Sequence, residues 1–277
     1  MATADSRRDW AVAGGPTLLA LALGVFPLAV LFVESIGPGL GTDNYARAFS
    51  PLYRGALGYS IGVGVAVTLV CLAIAYPVTF WLAHRCPPRY RLVGLVALTL
   101  PLWLNYVVLN YAWVWILARG GVVNRLLVRT GLLGEPLDLL YTQLSMGIGF
   151  VYIYLPYVIL TMYVSMERLD YRLLEAARDL GATDARVFRD IVVPRTLPGA
   201  AAATLVVYAR IAGAYATPEI LGSPGNVMVA RLVVQAFEQY ANYGFAAALS
   251  FVFLCLVLGG FAVGAVFPRV RKELRGW

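Results

Sequence analysis

Long runs free of charged residues alternate along the chain with short polar connections. The runs extend from Ala11 to Val33, Gly55 to Ala83, Leu92 to Ala118, Leu139 to Met166, Thr196 to Pro218 and Ala241 to Phe267, with Arg210 in the fifth as their single charge. Crossing a hydrocarbon layer about 30 Å thick takes about 20 helical residues, so each run is long enough. The first exceeds the roughly 7–15 residues of a signal-peptide core and reads as a retained anchor. Short segments alternating at period two are missing from the sequence, which argues against an outer-membrane barrel. The pattern predicts an all-α integral membrane protein of six transmembrane helices, forming one domain over residues 1–277. Pro77, Pro101 and Pro156 are expected to kink or bound their helices.

Composition strengthens this reading. Hydrophobic residues make up 60% of the 277 and charged residues 13%, with a mean hydropathy of +0.74; soluble domains carry about 25% charge. The net charge of +7 is not a nucleic-acid signature, because the basic residues lie between apolar runs instead of forming a patch. With both termini placed in the cytoplasm, 15 of the 22 basic residues fall on the cytoplasmic side. They include Arg7, Arg8, Arg85, Arg89, Arg91, six arginines between Glu167 and Arg195, and four residues after Pro268. Six lie opposite, three of them (Arg119, Arg125 and Arg129) in one connection. The bias predicts cytoplasmic termini.

The connection between runs four and five, Glu167 to Arg195, holds 6 acidic and 6 basic residues and reads as a folded polar segment. Leu173, Ala176, Ala177 and Leu180 recur at helical spacing and predict one apolar face. Glu175 and Asp179 lie on another, with Arg172 and Arg178 near enough to offset them. Gly181 is suited to end that helix. A second short helix fits Thr183 to Ile191, capped by Thr183 or Asp184 and stopped at Pro194, with Pro198-Gly199 marking the start of the fifth span. The product is a helix–turn–helix platform. Physics alone gives it two readings of equal weight, a docking handle for another protein or a hairpin resting on lipid headgroups.

The stretch from Glu175 to Gly199, EAARDLGATDARVFRDIVVPRTLPG, resembles the "EAA" signature of the membrane subunits of binding-protein-dependent ABC importers. Pro101-Leu102-Trp103, Tyr111-Ala112-Trp113, Gly121-Val122-Val123-Asn124, Thr217 to Gly222 and Gly244 to Ser250 are similar to segments of spermidine/putrescine-type permeases. The resemblance implies a type I importer permease in a bacterial inner membrane. It also implies that Glu175, Ala176, Ala177 and Gly181 form the coupling helix, which docks on a cytoplasmic ATPase. The implied partners are two ATPase subunits, which would use the ATP and Mg, a second and non-identical permease, an external substrate-binding protein, and lipid. The implied substrate is a polyamine or a related small solute; a sugar, an organic anion or a phosphonate is the alternative. Two positions depart from the polyamine pattern. Leu109-Asn110-Tyr111 lacks the arginine common before the third span's Thr-Tyr, and Ala214 stands where an acid is common. Removing that acid removes a carboxylate that a polycation would use.

Arg210 would cost roughly 2.5–3.5 kcal/mol facing lipid, so it is expected to face the route, a partner or water. Asn110 and Tyr111 are further candidates for the route, as is Glu219 for meeting a delivered ligand, beside the bland reading of the aromatics as an interfacial belt. Gly58, Gly62 and Gly64 predict close helix packing, and His84 reads as interfacial. The sequence contains no GxxxxGK[ST] phosphate loop, no HExxH and no closely spaced Cys/His set, so neither ATP hydrolysis nor catalysis is expected of this chain. An intramembrane enzyme and a passive channel are the rivals from other classes. Both predict activity without an ATPase.

Overall fold

The computed structural model describes residues 3–37 and 42–266, with side chains for 15–17, 19–37 and 42–260. The side chains of Arg7 and Arg8, the four basic residues after Pro268, and Phe267 lie outside the described residues. In chain order the helices are α1 (Thr3–Ile36), α2 (Asp43–Ala48), α3 (Pro51–Phe80), α4 (Pro88–Trp103), α5 (Tyr106–Leu117), α6 (Val122–Arg129) and α7 (Gln143–Glu167). There follow α8 (Tyr171–Asp179), α9 (Asp184–Val187), α10 (Val193–Ala212), α11 (Ala216–Leu221), α12 (Val229–Val234) and α13 (Tyr243–Val266). Single π-helical turns continue α3 (Trp81–Arg85), join α9 to α10 (Phe188–Val192) and follow α12 (Gln235–Gln239).

Among the described residues, six stretches are long and apolar enough to cross a membrane: Gly15–Ile36, Pro51–Arg85, Tyr106–Arg129, Gln143–Glu167, Asp184–Ala212 and Tyr243–Gly260. Three expectations need correcting. The third run, Leu92 to Ala118, is not one helix. Leu104 and Asn105 are extended, and the Asn105 side chain caps α5 by accepting from the Val107 N–H at 2.8 Å. At 16 residues α4 falls short of a full crossing, whereas α5, of 12 residues, reaches that length only together with α6 in the stretch Tyr106–Arg129; α4 and α5 both pack along α7. The fifth run stops at Ala212, and Thr217 and Pro218 belong to the separate α11. At its other end Pro194 does not stop the preceding helix. It lies in the first turn of α10 behind the π turn, where its missing N–H is tolerated.

Contacts group the chain into two units, Gly55–Arg231 with Leu256–Trp277, and Met1–Arg54 with Leu232–Cys255. In the first, α7 is the spine, and α10 packs along it so closely that a Cβ on Gly199 would run into Ser165. Phe150, Ile159, Met162, Met166, Leu174 and Ile211 are fully buried there. Of the three glycines predicted to pack, Gly64 alone lies against a neighbour, since its Cβ would meet the Tyr208 ring at 3.0 Å and Ala212 at 3.1 Å. In the second unit Phe245 anchors the local packing, edge-on to Tyr53 with 4.8 Å between ring centroids and beneath the Arg47 guanidinium at 4.4 Å.

Candidate functional site

The polar segment between α7 and α10 folds into the hairpin of α8 and α9, and its sequence accounts for each end. The Asp170 carboxylate caps α8 by accepting from the Arg172 N–H at 2.9 Å. Gly181, at φ +84°, closes it: its N–H donates to Arg178 O at 2.8 Å, and the Ala182 N–H donates to Ala177 O at 3.0 Å. This paired closure uses the left-handed conformation that glycine adopts without a Cβ clash. The Thr183 hydroxyl then accepts from the Arg186 N–H at 3.4 Å to start α9. Arg178 reaches across the turn to Asp184 at 2.8 Å. Hydrogen bonds to Asp184 and then to Tyr171 hold its pKa above the ordinary arginine value, so it stays charged. The expected pairing of Arg178 with the acids of its own helix is therefore replaced by a bond to the next one.

The apolar face is also phased differently. Leu174 is fully buried, with Val187 beside it in the core and Ala177 packed against them half-buried. Leu173, Ala176 and Leu180, one helical turn apart, stay at the surface, as does Glu175, and Leu180 is 89% exposed. Two aromatic contacts tie the hairpin back to α3 and its π turn. Tyr171 packs on His84, which packs on Phe80 (ring centroids 5.5 and 5.3 Å apart), and Phe188 meets Tyr76 edge-on at 5.7 Å. His84 is thus interior to this contact chain.

At the break in the third span lies a cavity of about 460 Å³, within the range of small-molecule sites. Its walls come from Pro101 to Leu109 of α4 and α5, from Ile153, Tyr154 and Tyr157 of α7, and from Arg210 to Thr217 of α10 and α11. Two interrupted helices meet here, because the chain also leaves helical geometry at Gly213–Tyr215. In hydrocarbon, irregular backbone is tolerated where it lines a cavity or is buried in protein. Arg210 projects from the last turn of α10 and lies over the Tyr157 ring at 5.4 Å. No aspartate or glutamate is in the wall.

The other candidates lie elsewhere. Asn110 is fully buried behind the wall, where its Nδ2 donates to Thr217 Oγ1 at 3.0 Å and to Tyr106 O at 2.8 Å. It staples α5 to α11. Tyr111 is exposed, outside the cavity wall. Glu219 forms an ion pair with Arg231 at 2.9 Å. Of the cavity residues, Tyr154 and Tyr157 are open in the sequence to either reading, belt or ligand contact, and Thr217 carries no signal for this role. The signal available for the tyrosines was their spacing three apart on one helix, which an interfacial belt shares. Among the described residues no group of three His, Cys, Asp or Glu side chains is placed to hold a metal ion.

Residues 75–272 match the family described as "Binding-protein-dependent transport system inner membrane component". The spermidine/putrescine transport system permease protein PotB of Salmonella typhimurium strain LT2 is 35% identical over 217 residues, covering 78% of this chain and 75% of that protein. The inner membrane ABC transporter permease protein YdcU of Escherichia coli strain K12 is 30% identical over 239 residues, covering 82% and 75%. A bacterial ABC transporter involved in import of the acidic polysaccharide alginate superposes with a TM-score of 0.76 over 95% of this chain and 98% of that one, at 18% identity. The MetNI methionine ABC transporter in an inward-facing conformation superposes with a TM-score of 0.53 over 75% and 91%, at 16% identity. These two structural likenesses are likenesses of fold.

Proposed function

The chain belongs to the family of binding-protein-dependent transport system inner membrane components, and from that premise we propose how its parts divide the work of import. It is a multi-pass inner-membrane permease, half of an ABC importer's translocation path. Working as one transmembrane domain, it pairs with a second, non-identical permease, two cytoplasmic ATPases and an external binding protein. Both termini and the α8–α9 hairpin face the cytoplasm.

Glu175, Ala176, Ala177 and Gly181 make the coupling surface. The observation that carries this assignment is the hairpin's unpartnered stripe of Leu173, Ala176 and Leu180 on a segment capped at both ends. A rigid element with a small apolar surface transmits displacement; a loose loop would absorb it. ATP binding closes the ATPase pair, the hairpin moves with it, and Tyr171 and Phe188 carry the movement to α3 through their ring contacts. The cavity beside Arg210 is this chain's part of the route, and Glu219, held by Arg231, is its contact for arriving solute or binding protein. Asn110 supports the route from behind, and Tyr111 is available from the outer side of α5.

The solute is small and polar. The names of similar permeases make a polyamine the first candidate, and Arg210 in the cavity wall favours the alternative of an organic anion.

Ala176→Cys tests the coupling role. It is expected to crosslink to the ATPase in the assembled importer, and uptake into vesicles is expected to require ATP. Crosslinking from the external side, or uptake at full rate without the ATPase, would refute it.

A further inference from the structure

We infer that the cavity at the third-span break selects a small organic anion, pairing its carboxylate or phosphonate oxygens with Arg210, and turns away polycations. This rests on the reading of the cavity as part of the solute path.

Four observations converge on it. Arg210 brings a formal positive charge into an otherwise uncharged apolar run and lines the cavity from the last turn of α10. Among the described residues it has no carboxylate within ion-pair distance, and its contact is the Tyr157 ring. No acid lines the cavity, while Glu219, the carboxylate closest to it along the chain, is held by Arg231 at 2.9 Å. Of the four tyrosines in the wall, Tyr157, one of the faces that would suit an ammonium group, already lies beneath the protein's own cation.

A polyamine entering here would meet a fixed like charge, with no carboxylate among the described residues of the cavity wall to offset it. A carboxylate or phosphonate would meet the planar fork that binds such groups through two parallel bonds. The volume of about 460 Å³ suits a small molecule.

Ala214 is in the cavity wall, so Ala214→Cys reports its potential directly. Cys71 and Cys86 are buried and Cys255 is exposed, so the background carries Cys255→Ser and labelling is read on this chain alone. The complete importer in proteoliposomes is treated with sulfonatoethyl (anionic) and trimethylammonioethyl (cationic) methanethiosulfonate, each rate being divided by that with free cysteine.

The anionic reagent is expected to react at least about fivefold faster. Arg210→Gln should erase the bias and Arg210→Lys keep it, and spermidine should show no ATP-driven accumulation. Equal rates, a cationic preference with Arg210 in place, or ATP-driven spermidine uptake would overturn the inference and leave the path reading standing. Labelling by neither reagent in any nucleotide state would remove the cavity from the path, and both readings would fall.

Discussion

The hairpin closes its hydrogen bonds within the segment from Asp170 to Val192: Asp170 caps α8, Gly181 ends it, Thr183 starts α9, and Arg178 ties the two together. The cavity has no such local closure. Its walls come from three separate stretches, and the bond that braces them joins Asn110 to Thr217 across 107 positions of sequence. In the proposed division of work, the part that is pushed is rigid by itself, and the part that opens and closes depends on how its helices sit together. Damage should therefore act differently in the two. In the hairpin it should uncouple transport without unfolding the spans. Behind the cavity it should loosen the spans themselves.

The largest effect is expected on the hairpin surface. Ala176→Trp puts bulk where close approach is needed, and ATP-driven uptake should fall about a hundredfold, near the top of the range of coupling free energies. The thermal midpoint of the detergent-solubilised importer should not move. A lowered midpoint would mean that the hairpin is not the independent part described here.

Next comes the brace. Asn110→Leu removes one buried and one part-buried bond, and about 1–3 kcal/mol of stability should be lost, read as a lower unfolding midpoint. Combined with Thr217→Val, the losses should be less than additive; simple addition would show that the pair is not acting as a unit.

Third is the turn. Gly181→Val forces a branched residue to φ +84°, costing about 1–2 kcal/mol, and uptake should drop roughly tenfold. Gly181→Asn should recover part of it, because asparagine tolerates this conformation. Smallest is Arg178→Ala. Asp184 is 74% exposed, so the pair contributes at most a few tenths of a kcal/mol. Uptake should change less than about threefold, and the difference should shrink in high salt.

The contrast also explains how much could be read from the chain. Spans announce themselves by length, and the hairpin's ends are set by residues adjacent in sequence, so Gly181 was legible as the end of α8 and the cap of α9 was narrowed to Thr183 or Asp184, of which Thr183 serves. Leu173 and Leu174 were not separable, because both are leucine and one step around the helix decides which goes inward. Pro101 marked a kink or boundary close to the break at Leu104–Asn105, but not its position, because apolar residues continue across it and Asn105 looks like any other polar residue in a span. The partners of Asn110 and Glu219 are fixed by tertiary placement, which no local pattern encodes. Arg210 was visible as the one charge in a span, and its surroundings were not.

The π turn at Phe188–Val192 bears on the aim of the hairpin. An i→i+5 turn holds one residue more than α-helical winding needs, so α9 and α10 are out of phase by a full residue, about 100° around the axis. Angular setting between handle and shaft is thereby recorded in chain length, not in side-chain identity. Gaining or losing one position here would point an unchanged α8–α9 surface in a new direction relative to α10.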